Sequence, residues 1–157
     1  MRRCLTDAET QAAGEEFANL LRAGDVVVLS GPLGAGKTTF VKGLARGLGV
    51  LDRVVSPTFT MVRDYDAHQR RDITHLHHAD VYRANGAGEI LDLDLHEWRE
   101  ESAVVVVEWG ERVGDLLGEV SLVVTFHLDS DSEARDLVLG GPATAERASA
   151  LATWAGS

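Results

Sequence analysis

At 157 residues the chain is long enough for one domain that buries about 70% of its unfolded surface, and 45% hydrophobic with 25% charged residues excludes a disordered or fibrous protein. A formal net charge of −10 argues against direct grip on DNA or RNA, because the 15 basic residues are dispersed and Arg2-Arg3 and Arg70-Arg71 are the only adjacent pairs. No apolar run reaches the ~18 residues of a membrane span, no apolar stretch follows Met1-Arg2-Arg3 as a secretory signal requires, and Cys4, being the one cysteine, can make no internal disulfide, so a cytoplasmic chain without membrane or DNA partners is expected.

Thr6-Asp7-Ala8-Glu9 reads as a capping box, with Thr6 capping and Glu9 reaching back. The helix it opens places Ala13, Phe17, Leu20 and Leu21 on one face, and Gly24 ends it. Residues 25–30 follow as a strand whose core, Val26-Val27-Val28-Leu29, is apolar throughout, as a strand buried on both faces must be. Residues 31–38, Gly-Pro-Leu-Gly-Ala-Gly-Lys-Thr, fit G-x-x-x-x-G-K-[ST], the phosphate-binding loop of nucleoside triphosphatases. Residues 38–48 then read as a helix through Phe40, Val41, Leu44, Ala45 and Leu48, with Gly49 as its stop. Residues 54–62 alternate and read as a strand, 66–72 as a polar turn, and 73–79 as the returning strand. Residues 85–88 are a break, and 89–99 carry one or two short helical turns. Ala103-Val104-Val105-Val106-Val107 is the strongest strand signal in the chain. Residues 120–128 and 135–139 form a hairpin across 129–132, and Pro142 starts a helix over 143–154. The pattern predicts a single domain over residues 1–157, an α/β, P-loop NTPase-like three-layer fold. Its mixed sheet has parallel strands near the phosphate loop and antiparallel edge strands. Ligands then belong at the carboxyl ends of the strands.

The chemistry concentrates at those ends. Glycines let successive backbone N–H groups turn toward one anion, and the helix N-terminus adds partial positive charge. Gly34, Ala35, Gly36, Lys37, Thr38 and Thr39 are therefore the candidate nucleotide contacts, with Lys37 reaching the β- and γ-phosphates and the Thr38 hydroxyl on Mg²⁺. A Mg²⁺-nucleotide site also needs an acid at the end of a buried strand. Two qualify, Glu108 after Val104-Val105-Val106-Val107 and Asp80 after residues 73–79, each also readable as a surface acid at a strand end. Ser56-Pro57-Thr58 is either an ordinary turn or a γ-phosphate switch. His75 and His77 share one strand face while His78 points opposite, and no cysteine joins them at zinc spacing, so they read as surface and core residues.

In order and spacing, the phosphate loop, Ser56-Pro57-Thr58-Phe59-Thr60, His78-Ala79-Asp80-Val81-Tyr82-Arg83 and Val107-Glu108-Trp109 resemble the TsaE (YjeE) family over about residues 5–155. The resemblance implies a small bacterial ATPase, using ATP and Mg²⁺, that is needed for N6-threonylcarbamoyladenosine (t6A) at position 37 of tRNAs reading ANN codons. It implies action on a complex of TsaB and TsaD homologues, with tRNA met only indirectly and no carbamoyl transfer by this chain. Carried over by motif, Lys37 and Thr38 hold phosphates and Mg²⁺, Glu108 binds Mg²⁺ directly or through water, Asp80 orients or deprotonates the attacking water, and Thr58 is the switch. Trp109 lies at the nucleotide or partner surface, and Thr6 and Arg135 frame the adenine. Family members often carry proline or alanine after the tryptophan, where this chain has Gly110.

On the residues alone, a small-molecule kinase using the same loop stays open, although the acidic stretch 89–101 is unlike a basic, arginine-bearing lid. So does a nucleotide-gated binding module without useful hydrolysis. Arg83 is the candidate arginine finger by position, and turnover without partners is expected to be slow.

Overall fold

The computed structural model describes residues 1–57, 61–85, 88–89, 92, 102–112 and 114–157. Seven strands form one sheet: β1 (Arg2–Cys4), β2 (Val26–Ser30), β3 (Val62–Asp66), β4 (His75–Asp80), β5 (Ala103–Glu108), β6 (Leu122–Leu128) and β7 (Arg135–Gly140). Their spatial order is β1-β7-β6-β2-β5-β4-β3. The pairs β6-β2, β2-β5 and β5-β4 are parallel, while β1-β7, β7-β6 and β4-β3 are antiparallel. This is the mixed sheet expected, parallel at its centre and antiparallel at both edges.

Helices α1 (Asp7–Phe17), α2 (Lys37–Gly47) and α4 (Ala148–Gly156) contribute to the larger core on one face, over Val27, Leu29, Leu76, Val104, Val106, Leu122, Val124 and Leu137. Phe17 packs on Phe40 and Trp154, and Phe40 on Phe126, with ring centroids 5.4, 5.5 and 5.7 Å apart. On the other face Val26, Val28, Ala79, Val105 and Val107 form a smaller core with Val81 and Leu117, beside 3₁₀ turns at Gly110–Arg112 and Gly114–Leu117. The valine runs of β2 and β5 thus feed both cores, the reason they carry no polar alternation.

Helices α1 and α2 meet with almost no side chain between them. A β-carbon on Gly43 would lie 1.9 Å from the Gln11 carbonyl oxygen, and one on Gly14 would lie 2.1 Å from the Phe40 carbonyl oxygen. Helix α1 starts as its sequence directs: the Glu9 N–H donates to the Thr6 hydroxyl at 3.1 Å. The reciprocal bond is displaced by one residue, since the Glu9 carboxylate accepts from the Leu5 N–H at 2.6 Å. Helix α2 ends as a Schellman motif, with the Gly49 N–H on Arg46 and the Val50 N–H on the Ala45 carbonyl.

Two expectations need correction. Residues 54–57 are irregular rather than part of a strand, and β3 begins only at Val62. Pro57 lacks the N–H a ladder needs, and Met61 sits at φ 58, outside any strand geometry. The C-terminal helix is also not continuous. A short α3 (Ala143–Glu146) and α4 are separated at Arg147, whose φ of −115 and ψ of 16 break the ladder. The expected helical turns at 89–99 lie almost wholly outside the described residues. Among the described residues no helix is long and apolar enough to cross a membrane.

Candidate functional site

Parallel register brings the ends of three strands level. Leu29 of β2 and Asp80 of β4 both pair with Glu108 of β5. The loop after β2 turns directly into α2, whose N-cap, Gly36, has φ 93. Gly34 is also left-handed, at φ 76. At φ 93 a side chain on Gly36 would be strained, and its β-carbon would lie 2.5 Å from Arg135 Nη1, so the guanidinium would have to shift.

These elements wall one cleft of about 410 Å³. Its lining includes Gly34, Ala35, Gly36, Lys37, Thr38 and Thr39 of the loop and helix, and Asp80, Glu108 and Arg135 from the strands. The structure therefore unites nearly all the residues singled out in the sequence. Thr6 is not among the lining residues, and its neighbour Asp7 is. Thr58 lies outside the described residues.

The Thr38 hydroxyl donates to Glu108, 2.8 Å from Oε1 and 3.1 Å from Oε2. Glu108 is only 3% exposed, and its Oε1 also lies 2.8 Å from His78 Nε2. Asp80 accepts from the Tyr82 N–H at 2.9 Å and lies 3.3 Å from the Ser56 hydroxyl. Burial pushes the Asp80 carboxyl above its ordinary value, and the neighbouring Glu108 charge pushes the same way.

Lys37, buried at the start of α2, does not point into an open cleft. Its Nζ donates to the Gly31 and Pro32 carbonyls at 2.7 and 2.8 Å and stands 3.8 Å from the centre of the Trp109 ring. Burial holds its ammonium below the usual lysine range, against the pull of Glu108, Glu111 and Asp80. Trp109 has φ 63, an unusual conformation for a bulky residue, and donates its N–H to Leu29 at 2.9 Å. Its ring packs on Tyr82 at 4.7 Å, and Arg112 lies over Tyr82 at 5.2 Å. Arg135 donates to Asp7 at 2.7 Å and to the Glu133 carbonyl at 3.0 Å.

Sequence reasoning missed Asp7, Tyr82 and His78 as parts of this site. Period two along β4 was the available signal for His78, since it shares a strand face with Asp80 and so points toward the same helix. Asp7 carried none, because its partner Arg135 lies at the far end of the chain.

The residues present suit a magnesium nucleotide. Thr38, Asp80 and Glu108 offer only oxygen donors, the set a hard cation prefers, and the loop turns at Gly34 and Gly36 through left-handed backbone angles that favour glycine. Comparison with known proteins agrees with the motifs. A model of the family of threonylcarbamoyl adenosine biosynthesis protein TsaE matches residues 4–137. The chain is 40% identical over 131 residues to the tRNA threonylcarbamoyladenosine biosynthesis protein TsaE of Treponema pallidum, covering 82% of this chain and 93% of that one. It is 38% identical over 131 residues to the TsaE protein of Bacillus subtilis, covering 83% and 79%. The crystal structure of Bacillus subtilis YdiB superposes with a TM-score of 0.74 at 30% identity, over 97% of this chain and 90% of that one. With this match over most of its length, and the phosphate-loop and strand-end motifs in agreement, the chain belongs to the TsaE family of threonylcarbamoyl adenosine biosynthesis proteins.

Proposed function

We propose that this chain binds and hydrolyses ATP with Mg²⁺ in the service of tRNA threonylcarbamoyladenosine synthesis. It acts on a complex of TsaB and TsaD homologues rather than transferring the threonylcarbamoyl group itself. The observation that carries the reading is the Thr38–Glu108 contact at the mouth of the phosphate loop, with Lys37 and Asp80 in the same cleft. It couples the loop to a strand-end acid, as Mg²⁺-nucleotide sites require.

Thr38 and Glu108 would hold Mg²⁺, which when bound offsets the charge of the phosphates. The N–H groups around Gly34, Ala35 and Gly36 and the N-terminus of α2 receive phosphate oxygens. Lys37 exchanges the Gly31 and Pro32 carbonyls for phosphate oxygens, leaving the Trp109 ring as it does so. Asp80, made more basic than an exposed aspartate by burial, orients the attacking water and takes its proton. Arg83 and Arg135 both line the cleft, and Arg83, the candidate arginine finger by sequence position, would meet charge developing on the phosphate. Those relatives, named for tRNA threonylcarbamoyladenosine biosynthesis, lend the kinase alternative no support.

Phosphate release measured with and without the TsaB–TsaD complex tests this. Turnover should rise when the complex is added, and Asp80→Ala should lower the stimulated rate by about 100-fold or more, the usual worth of a positioned base. A rate indifferent to the complex would remove the proposed partners. An unchanged rate in Asp80→Ala would remove the assignment of Asp80.

A further inference from the structure

The buried histidine of β4 has no role in the reading above, and its surroundings give it one. His78 is fully buried on the sheet face that packs under α2, beside the apolar side chains of Leu76, Val104 and Val106. An aliphatic residue would fill that place without polar cost. The imidazole instead reaches diagonally across the β4–β5 ladder, where it is level with Val106, and puts Nε2 2.8 Å from Glu108 Oε1. Its other nitrogen, Nδ1, has no hydrogen-bond partner among the described residues. A buried polar atom left unmatched costs about 1–3 kcal/mol, so a ring serving packing alone would be a poor choice here.

The geometry points to His78 as the positioning residue for Glu108, an inference that rests on the Mg²⁺-ATP reading above. A carboxylate oxygen can only accept, so the ring must carry its proton on Nε2. An Nε2–H bond occupies Oε1 from beneath while the Thr38 hydroxyl engages the same carboxylate from the helix side. Two donors from two different elements fix the carboxylate plane and leave lone pairs of Oε2 for the cleft. Without the ring, Glu108 would keep, among the described residues, only the threonine bond and could rotate about its terminal torsion, which is soft. Outer partners of this kind set the orientation and basicity of a metal-binding carboxylate.

The test uses the full chain, a fluorescent ATP analogue and a Mg²⁺ titration. His78→Leu removes the donor, His78→Asn moves an amide to the Nδ1 side, and His78→Gln places an amide nitrogen close to the position of Nε2. The Mg²⁺ concentration for half-maximal tightening of nucleotide binding should rise about 10- to 100-fold in the Leu and Asn variants, the range seen when outer metal-site partners are lost. The Gln variant should stay near wild type, and affinity for the metal-free nucleotide should be unchanged in all three. A Leu or Asn variant with the wild-type Mg²⁺ dependence would overturn the inference, and so would a Gln variant no better than Asn. If the variants do not fold, ¹⁵N NMR of the wild-type imidazole decides. A proton on Nε2 supports the assignment, and a bare Nε2 overturns it. Failure of wild-type chain to bind Mg²⁺-ATP at all would instead sink the ATP reading, and the imaging of the ring proton would still judge the His78–Glu108 bond separately.

Discussion

The two ends of the central strands treat buried carboxylates in opposite ways. At the amino end, Asp25 just before β2 is 4% exposed and meets a guanidinium of its own. Arg147 bonds it twice, Nη1 to Oδ2 at 2.6 Å and Nη2 to Oδ1 at 2.8 Å, and the Arg22 N–H adds a third donor at 2.7 Å. At the carboxyl end, among the described residues, Glu108 and Asp80 meet no guanidinium but the Thr38 and Ser56 hydroxyls, the His78 ring and the Tyr82 N–H. The nearby cation, Lys37, gives its protons to loop carbonyls instead. An acid matched to an internal cation is scaffold. A pair of acids without a guanidinium of its own suits the Mg²⁺ proposed above.

The largest effect should come from breaking the matched end. Arg147→Met strands a buried carboxylate and is expected to destabilise the fold by about 3–5 kcal/mol in urea unfolding. Adding Asp25→Asn should restore part of that loss, because the uncompensated charge is gone. A loss under about 1 kcal/mol in Arg147→Met would erase the contrast between the two ends. Next comes Lys37→Ala, which should weaken Mg²⁺-ATP binding at least about tenfold, as removal of a charged hydrogen-bond donor does. Calorimetric titration measures it, and wild-type affinity would sink the phosphate-loop assignment.

Asp80→Asn sharpens the comparison through pH. Burial raises the Asp80 carboxyl above its reference value of 3.8, so the folded protein keeps this proton to higher pH than the unfolded chain does. Stability contributed by this group is therefore lost as pH climbs from about the reference value through the raised one. The Asn variant should melt higher than wild type near neutrality, with the advantage fading as the pH falls toward the ordinary carboxylate range. A lower Tm for the variant at neutral pH would show that Asp80 is a structural acid like Asp25. The smallest effect is optical. A cation–π contact is worth about 0.5–2 kcal/mol, and if Lys37 leaves the ring for phosphate as proposed, the Trp109 fluorescence should change on nucleotide binding. Trp109→Phe should abolish that change, and a nucleotide-induced signal that survives in this variant would place its source elsewhere.

Much of this arrangement is readable in the chain. The valine runs before Ser30 and Glu108 are strands with the phosphate loop or an acid at their ends, because burial on both faces demands unbroken hydrophobicity. What escaped reading depends on distant partners. The β1 segment Arg2–Cys4 has no strand pattern, and it is a strand because β7 offers it a ladder. The break at Arg147 has no local sign in an alanine-rich stretch, since the side chain that draws it aside, Asp25, is 122 residues away. In the sequence His78 is one of three clustered histidines, and only the folded contact across β4–β5 shows which acid it faces.

The glycine contact between α1 and α2 has a mechanical meaning. With Gly43 and Gly14 each set against the other helix's backbone, α2 is keyed to α1 at two points, and sliding it by a turn would drive side chains into carbonyls. The helix that presents Lys37 and Thr38 is therefore a fixed post. Under the proposed ATP turnover, gain and loss of the terminal phosphate would be felt by parts that are not keyed, the lysine side chain and the strained tryptophan it rests on. A partner reading the nucleotide state would do so at the rim of the cleft, while the post beneath it stays still.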